Sequence, residues 1–364
     1  MLVFDGHLDL AWNALQWNRD IQLSVHTLRT QEAGLTGKGR GQNTVALPEM
    51  RQGSVFLCFA TLLARSTPVQ VPHVDFHSPA QACASAQGQL AWYRAMERLG
   101  KLVIITSLEQ LESHVHAWKG HLAGDKRESP SHGIILSMES ADPILEPEDL
   151  PDWQAAGIRL IGPAHYGKGR YAGGTGVDEG LTDRGRRLLR EMERHGVMLD
   201  LTHLSDASFR EALDLFHGPV LASHNNCRAL VPHQRQFSDA QIGAIIARDG
   251  VIGAALDAWM LVPGWVKGAR TNRQATLSMV ADHVDHVCQL AGNCRHTALG
   301  SDLDGGFGRE QSPADLDTIA DLQKIAALLA GRGYSSDEVA AVMHGNWLRL
   351  LRNAWGLVDR SAEQ

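Results

Sequence analysis

Leu2-Val3-Phe4-Asp5-Gly6-His7-Leu8-Asp9 opens the chain with a short apolar run that passes straight into a histidine and a carboxylate. A doubly wound nucleotide-binding sheet needs a glycine-rich turn after its first strand, so that backbone can approach a pyrophosphate. His7-Leu8-Asp9 stands at that place instead. With the strand running through them, side chains two apart project to the same side, and the first strand ends on a pair of metal-type ligands.

Further strand-like apolar runs follow at Ser54 to Leu63, Leu102 to Ile105, Gly133 to Met138, Ile158 to Ile161, Val197 to Leu201, Pro219 to Ala222, Val251 to Ala255 and Thr297 to Gly300. Between most of them lie helical patterns, at Ala80 to Leu99, Leu108 to Trp118, Leu181 to His195, Ser205 to Phe216, Asp239 to Arg248 and Thr271 to Leu290, with apolar residues spaced by three and four. Such alternation predicts an α/β protein with a parallel sheet, and about eight repeats without a linker point to a (β/α)8 TIM barrel. Nine runs is one too many. Leu102 to Ile105 is the one to demote, being short and ending on no metal-type or acid–base residue. Two more helices, Ser312 to Leu328 and Ser336 to Leu351, are expected to cover the outside or base of the barrel, the second opening with the cap-like Ser335-Ser336-Asp337-Glu338. At 364 residues the length allows two domains of roughly 150 residues, but single barrels run from about 250 to over 400. No repeat, low-complexity stretch or composition break marks a boundary, so residues 1–364 read as one barrel domain with covering helices over about 312–355.

With 44% hydrophobic and 21% charged residues the chain is of ordinary globular composition. Its 34 Lys and Arg stand against 41 Asp and Glu, a net charge of −7, with no basic stripe; a nucleic-acid partner is thereby disfavoured. Cys58, Cys83, Cys227, Cys288 and Cys294 are odd in number and contain no Cys-x-x-Cys pair, which reads as reduced thiols. There is no basic and apolar leader at residue 1 and no apolar run near the roughly 18 residues a membrane span needs. The expected location is the cytoplasm.

The chemistry is signalled by position. His7 and Asp9, Glu139, His165, His203, His224 and Asp302 each follow an apolar strand run, and in a barrel those strand ends converge on the face that carries active sites. Any one of them has a plain alternative, as a helix cap or a hydrogen-bonded rim histidine; the shared register is what argues for a site. Imidazole nitrogen with carboxylate oxygen suits a zinc-like ion. Asp304 competes with Asp302 for an acid–base role, only two residues away. Trp259 and Met260 read as core before pocket lining. Gly162 to Gly169 nearly spells a phosphate-binding loop but lacks its Ser or Thr, and reads better as a mobile active-site loop. His283 and His286 lie three apart on an expected helix, on what reads as a solvated face.

Asp5-Gly6-His7-Leu8-Asp9-Leu10, Asp200-Leu201-Thr202-His203-Leu204-Ser205, Ala222-Ser223-His224-Asn225 and Gly300-Ser301-Asp302-Leu303-Asp304-Gly305, closing with Gly345-Asn346-Trp347-Leu348-Arg349, resemble the signature segments of the renal (membrane) dipeptidase family, peptidase family M19. The resemblance implies a barrel of the amidohydrolase type holding two zinc ions (Zn2+), one on His7, Asp9 and Glu139, the other on Glu139, His203 and His224. Glu139 and a hydroxide would bridge them. It further implies that Asp302 serves as general base and then acid, that His165 binds the substrate's developing oxyanion, and that Arg235 grips a terminal carboxylate. Glu139-Ser140, where the family often has Glu-Gly, and the glycine-rich stretch after His165 depart from the pattern and bear on substrate choice.

The reading reached is a zinc-dependent dipeptidase acting on dipeptides with a free carboxyl terminus, L-Xaa-D-Xaa included, and the resemblance implies a homodimer, as is common in the family. Another amidohydrolase reaction on the same centre, on an N-acyl amino acid or a lactone, is the rival within catalysis. A metal-bound scaffold without turnover is the rival outside it.

Overall fold

In the computed structural model, which describes residues 1–68, 71, 74–125, 129–266 and 274–362, nine parallel strands form in chain order: β1 (Val3–Leu8), β2 (Val55–Leu63), β3 (Leu102–Ile104), β4 (His132–Glu139), β5 (Ile158–Gly162), β6 (Met198–Asp200), β7 (Val220–Ala222), β8 (Val251–Ala254) and β9 (Thr297–Leu299). Eight of them close into a ring, β1-β2-β4-β5-β6-β7-β8-β9, with β9 returning to β1. The (β/α)8 barrel read from the alternation is the observed fold. Residues of β1, β2, β4 and β6 to β9 are buried throughout, because helices cover the ring outside and side chains fill it inside; that is why the strands read as unbroken apolar runs.

Leu102 to Ile105 does contain a strand, yet it is not a member of the ring. β2 takes one edge of β4 from Gly133 to Glu139, and β5 takes the other from Leu136 onward. β3 fills the free lower part of that second edge, opposite His132, Gly133 and Ile134.

The outer helices start on capping hydroxyls. Ser78, Ser107, Thr182, Ser205 and Ser238 each accept a hydrogen bond from a first-turn amide. The helix expected from Thr271 begins at Leu277, residues 271–273 lying outside those described. Its His283 corrects the solvated-face reading: it is buried, with Nδ1 accepting from the Cys227 amide at 3.1 Å, while His286 meets Asp239 at 2.7 Å.

The expected helix over Ser312 to Leu328 starts late. Asp315 and Asp317 are committed to the Leu277 amide and to Arg29 and Arg309, and the true cap is Thr318, paired with Asp321 in a capping box. A 3-10 turn, Ile319–Leu322, leads into the helix Gln323–Gly331. The second begins on the expected Ser335–Glu338 capping box but is interrupted by a π turn, Ala341–Gly345, before it continues as Asn346–Ala362. That extra residue per turn aims Asn346 at the carbonyls of Cys294 and Thr297 (2.6 and 2.7 Å) and the Trp347 indole N–H at the Leu299 carbonyl (2.8 Å). Trp347 then packs tilted against Phe4 and edge-to-face against Phe59, closing the N-terminal mouth of the barrel. Gly6 is required there: a β-carbon would sit 2.7 Å from the Trp347 ring and 2.6 Å from the Ser223 carbonyl.

His132, at the start of β4, donates from Nδ1 to the Val55 carbonyl at 2.8 Å. Burial holds both His132 and His283 down at about 4. Unfolding returns them to about 6.5, so the unfolded chain binds more protons and stability falls as pH drops from about 6.5 to about 4. Urea unfolding at pH 5 should show about 2 kcal/mol less stability per histidine than at pH 7.5. Replacing both by Asn, which hydrogen-bonds without titrating, should make that slope shallower, while His114 and His344, also held down by burial, keep part of it; an unchanged slope would refute the assignment.

Candidate active site

At the opposite mouth the strands deliver the chemistry. His7 lies near the end of β1 and Asp9 just beyond it, as the cap of the helix Leu10–Gln16; Glu139 is the last residue of β4. His165, His203, His224 and Asp302 follow β5, β6, β7 and β9. Two buried carboxylates lace these ends together. Asp5 accepts from the amides of His7 (3.2 Å) and Ser301 (2.7 Å), tying β1 to β9, and Asp200 accepts from those of Thr202 and Ser223 (both 3.0 Å), tying β6 to β7. Against this lacing the chain leaves several strands abruptly: Ser140, His203 and Asp302 have φ of 69°, 67° and 57°. Left-handed backbone at a non-glycine residue costs on the order of 1–3 kcal/mol and persists where its surroundings over-determine it.

Glu139 is the hub. Its Oε1 lies 3.2 Å from His203 Nε2, 3.4 Å from His224 Nε2 and 3.5 Å from His165 Nε2, and its Oε2 lies 3.6 Å from His7 Nε2. His7 Nε2 is also 3.5 Å from Asp9 and 3.9 Å from Asp302. Thr175 and Ser223 hydroxyls meet the Nδ1 atoms of His203 and His224 at 3.1 and 3.0 Å, which orients both rings. The ligand atoms of His7, Asp9 and Glu139 lie within 4.8 Å of one another, as do those of Glu139, His203 and His224, and those of His7, His224 and Asp302. The first two sets are the pair expected from the sequence.

The electrostatics call for cations. Burial, with Asp9 and Asp200 adding to it, pushes Glu139 up to about 7 despite His7. Burial also raises Asp302 well above the usual carboxylate range, with Asp9, Glu139 and Asp257 contributing. Burial opposes a charge on His7, but Glu139, Asp9 and Asp302 outweigh it and lift the imidazole to about 10. His165, His203 and His224 are held well below the ordinary value, first by burial, so they present neutral lone pairs. His7 Nε2 and Asp9 Oδ1 are buried without a hydrogen-bond partner. Orphaned donor atoms among crowded carboxylates and neutral imidazoles fit divalent metal ions.

A cavity of about 220 Å³ opens over this cluster. Arg235 is on its wall, 3% exposed, with Nη2 donating to the His224 carbonyl at 2.8 Å, Nη1 on the Asn225 side-chain oxygen, and Nε buried without a partner. Trp259 and Met260 line the cavity as well as being buried. Asp302 and Asp304 part company: Asp304 accepts from the Thr44 amide and hydroxyl (2.7 and 2.8 Å) and the Val45 amide (3.0 Å), away from the cluster. The near phosphate loop is a folded hairpin over the site, with Gly167 and Thr175 exchanging backbone bonds with Thr175 and His165 (both 2.8 Å).

Reading strand ends for metal-type residues missed Arg65, two residues beyond β2, which lines the cavity and meets His165. The same positional rule extended to cations would have found it.

A closed parallel barrel with a histidine–carboxylate cluster at the C-terminal ends of its strands defines a metal-dependent hydrolase. The sequence profile of the membrane dipeptidase family, peptidase family M19, matches residues 1–364, and the chain belongs to that family. It is a hydrolase of the metallo-dipeptidase class. It resembles a solved M19 dipeptidase over 98% of this chain and 99% of that one, with 26% identity and a TM-score of 0.76. A metallopeptidase from Rhodobacter sphaeroides, solved with a phosphinate mimic of the dipeptide L-Ala-D-Ala, matches over 98% and 99% with 25% identity and a TM-score of 0.75. Dipeptidase tcpJ of Claviceps purpurea is 32% identical over 203 residues, which are 54% of this chain and 44% of the fungal one. Among the described residues no helix is long and apolar enough to cross a membrane.

Proposed function

We propose that this protein hydrolyses the amide bond of dipeptides with a free C-terminal carboxylate, L-Xaa-D-Xaa dipeptides among them, using two zinc ions on His7, Asp9, Glu139, His203 and His224. The observation that carries the reading is Glu139 within 3.6 Å of four histidines under a cavity walled by a buried arginine. Nitrogen and oxygen donors suit zinc, and a pair of such ions supplies Lewis acidity, making water nucleophilic at neutral pH and polarising the scissile carbonyl.

The chain's own side chains do the rest. Arg235, with donor capacity left on its guanidinium, binds the terminal carboxylate and sets the register of the peptide. His165 presents Nε2 to the carbonyl oxygen as it gains charge. Asp302 takes the proton of the attacking water on a carboxylate oxygen and returns it to the departing amine. The mimic bound by the Rhodobacter sphaeroides relative supports a D-residue at the second position.

Elemental analysis should find about two zinc per chain, and a dipeptide panel should show turnover that chelation abolishes and zinc restores. Arg235→Ala should raise KM for free dipeptides roughly 10- to 100-fold and leave turnover of their C-terminal carboxamides, expected to be poor substrates of the parent, unchanged. Equal effects on both, or chelator-resistant turnover, would overturn the reading.

A further inference from the structure

His165 can act as a donor only if its proton sits on Nε2, the nitrogen that faces the cluster at 3.5 Å from Glu139 Oε1. A neutral imidazole carries its proton on either nitrogen, and the hydrogen bond made by the other one decides which. Here the other one meets an arginine: Arg65 Nη1 lies 2.7 Å from His165 Nδ1. A guanidinium has donors and no acceptor, so Nδ1 must offer its lone pair and the ring proton is driven to Nε2.

We propose that Arg65 is a positioning residue whose guanidinium locks His165 in the Nε2–H tautomer and aims that proton into the cavity. The inference rests on the oxyanion role given to His165 above. Arg65 is itself held so that it cannot serve elsewhere. Its Nε and Nη2 donate to the two oxygens of Asp75 (2.8 and 2.6 Å), an acceptor with no exposed side-chain surface. Its backbone pairs with Val74 and Phe76 (3.0 and 2.7 Å). Nη1 also reaches the Tyr166 carbonyl at 3.3 Å, fastening the residue after His165. With its nitrogens so engaged, Arg65 lines the cavity yet is not a second anchor for substrate carboxylate; Arg235, with Nε unpartnered, is.

The test uses the zinc-loaded protein and three variants, Arg65→Ala, Arg65→Lys and His165→Ala, each checked for metal content and thermal midpoint. Arg65→Ala should lower kcat on the order of 10²-fold, the effect of losing one oxyanion donor, with KM within about threefold. Arg65→Lys, which keeps one donor for Nδ1 and loses the fork on Asp75, should fall between. Millimolar guanidinium should restore part of the Arg65→Ala loss. Long-range 15N correlation of the His165 ring, assigned by its disappearance in His165→Ala, should show Nδ1 bare in the parent and protonated or mixed in Arg65→Ala, with or without metal. A metal-loaded Arg65→Ala that keeps kcat within twofold would overturn the proposal. So would a kcat loss with the tautomer unchanged and no rescue, the mark of a clamp that only supports the fold. Full activity in His165→Ala would instead remove the oxyanion role, while the tautomer measurement still judges the lock.

Discussion

Glu139→Gln is expected to strip the site of metal and lower turnover by roughly 10⁴-fold, the scale seen when one member of a catalytic unit is deleted. Both expected ligand sets contain this carboxylate, and it stands within 3.6 Å of His7, His165, His203 and His224. An amide has the same shape but neither the charge nor two equivalent acceptors. Zinc content should drop from about two per chain to below one. Folding should survive. In the metal-free protein burial holds the Glu139 carboxyl up at about 7, above its unfolded value of about 4.5; the sign is that stability is lost as pH rises from about 4.5 to about 7 and stays lowered above that. The neutral amide escapes that loss, so metal-free Glu139→Gln should be no less stable than the metal-free parent at pH 8. Added zinc should raise the parent's thermal midpoint by mass action and leave the variant's unmoved. A variant that keeps two metals, or one that unfolds without them, would contradict the shared-ligand assignment.

The second large effect is expected at Asp302. Asp302→Asn should cut kcat by about 10²- to 10⁴-fold, the range of general acid–base catalysis, with metal content intact and KM little changed. Asn tolerates the left-handed backbone that Asp302 adopts, φ 57°, so the loss tests the proton and not the turn. Because Asp302 also shares a possible ligand set with His7 and His224, metal analysis decides between two roles: activity lost with metal retained assigns proton transfer, and activity lost together with metal assigns ligation.

Much of this was legible in the sequence because a parallel barrel repeats one rule. Most ring strands are buried on both faces and end on the same rim, so apolar runs followed by His7, Glu139, His203 and His224 announced fold and cluster together. What escaped depended on contacts between segments far apart in the chain. Asp302 is favoured over Asp304 because it follows the strand directly, but both are left-handed and spacing does not show where Asp304 goes; Thr44 and Val45, some 260 residues earlier, together with Arg19 draw it aside. Arg65 acquires its meaning from a ring 100 residues later. β3 has strand chemistry, but its exclusion from the ring follows from which edge of β4 is already taken. The π turn at Ala341–Gly345 left no mark in the apolar spacing, yet it sets where Trp347 goes.

That tryptophan gives the molecule an order of assembly. A ribosome releases His7 before the other candidate site residues, and all of them through Asp302 before residue 347, so the candidate site's side chains are synthesised while the floor beneath Gly6 still lacks its indole. Until that ring lies under the glycine and its N–H meets Leu299, the strand bearing His7 has its neighbours β2 and β9 beside it but no aromatic floor beneath it. A chain that ended before residue 347 would therefore be expected to carry every proposed metal-binding side chain on a barrel whose N-terminal mouth is still open.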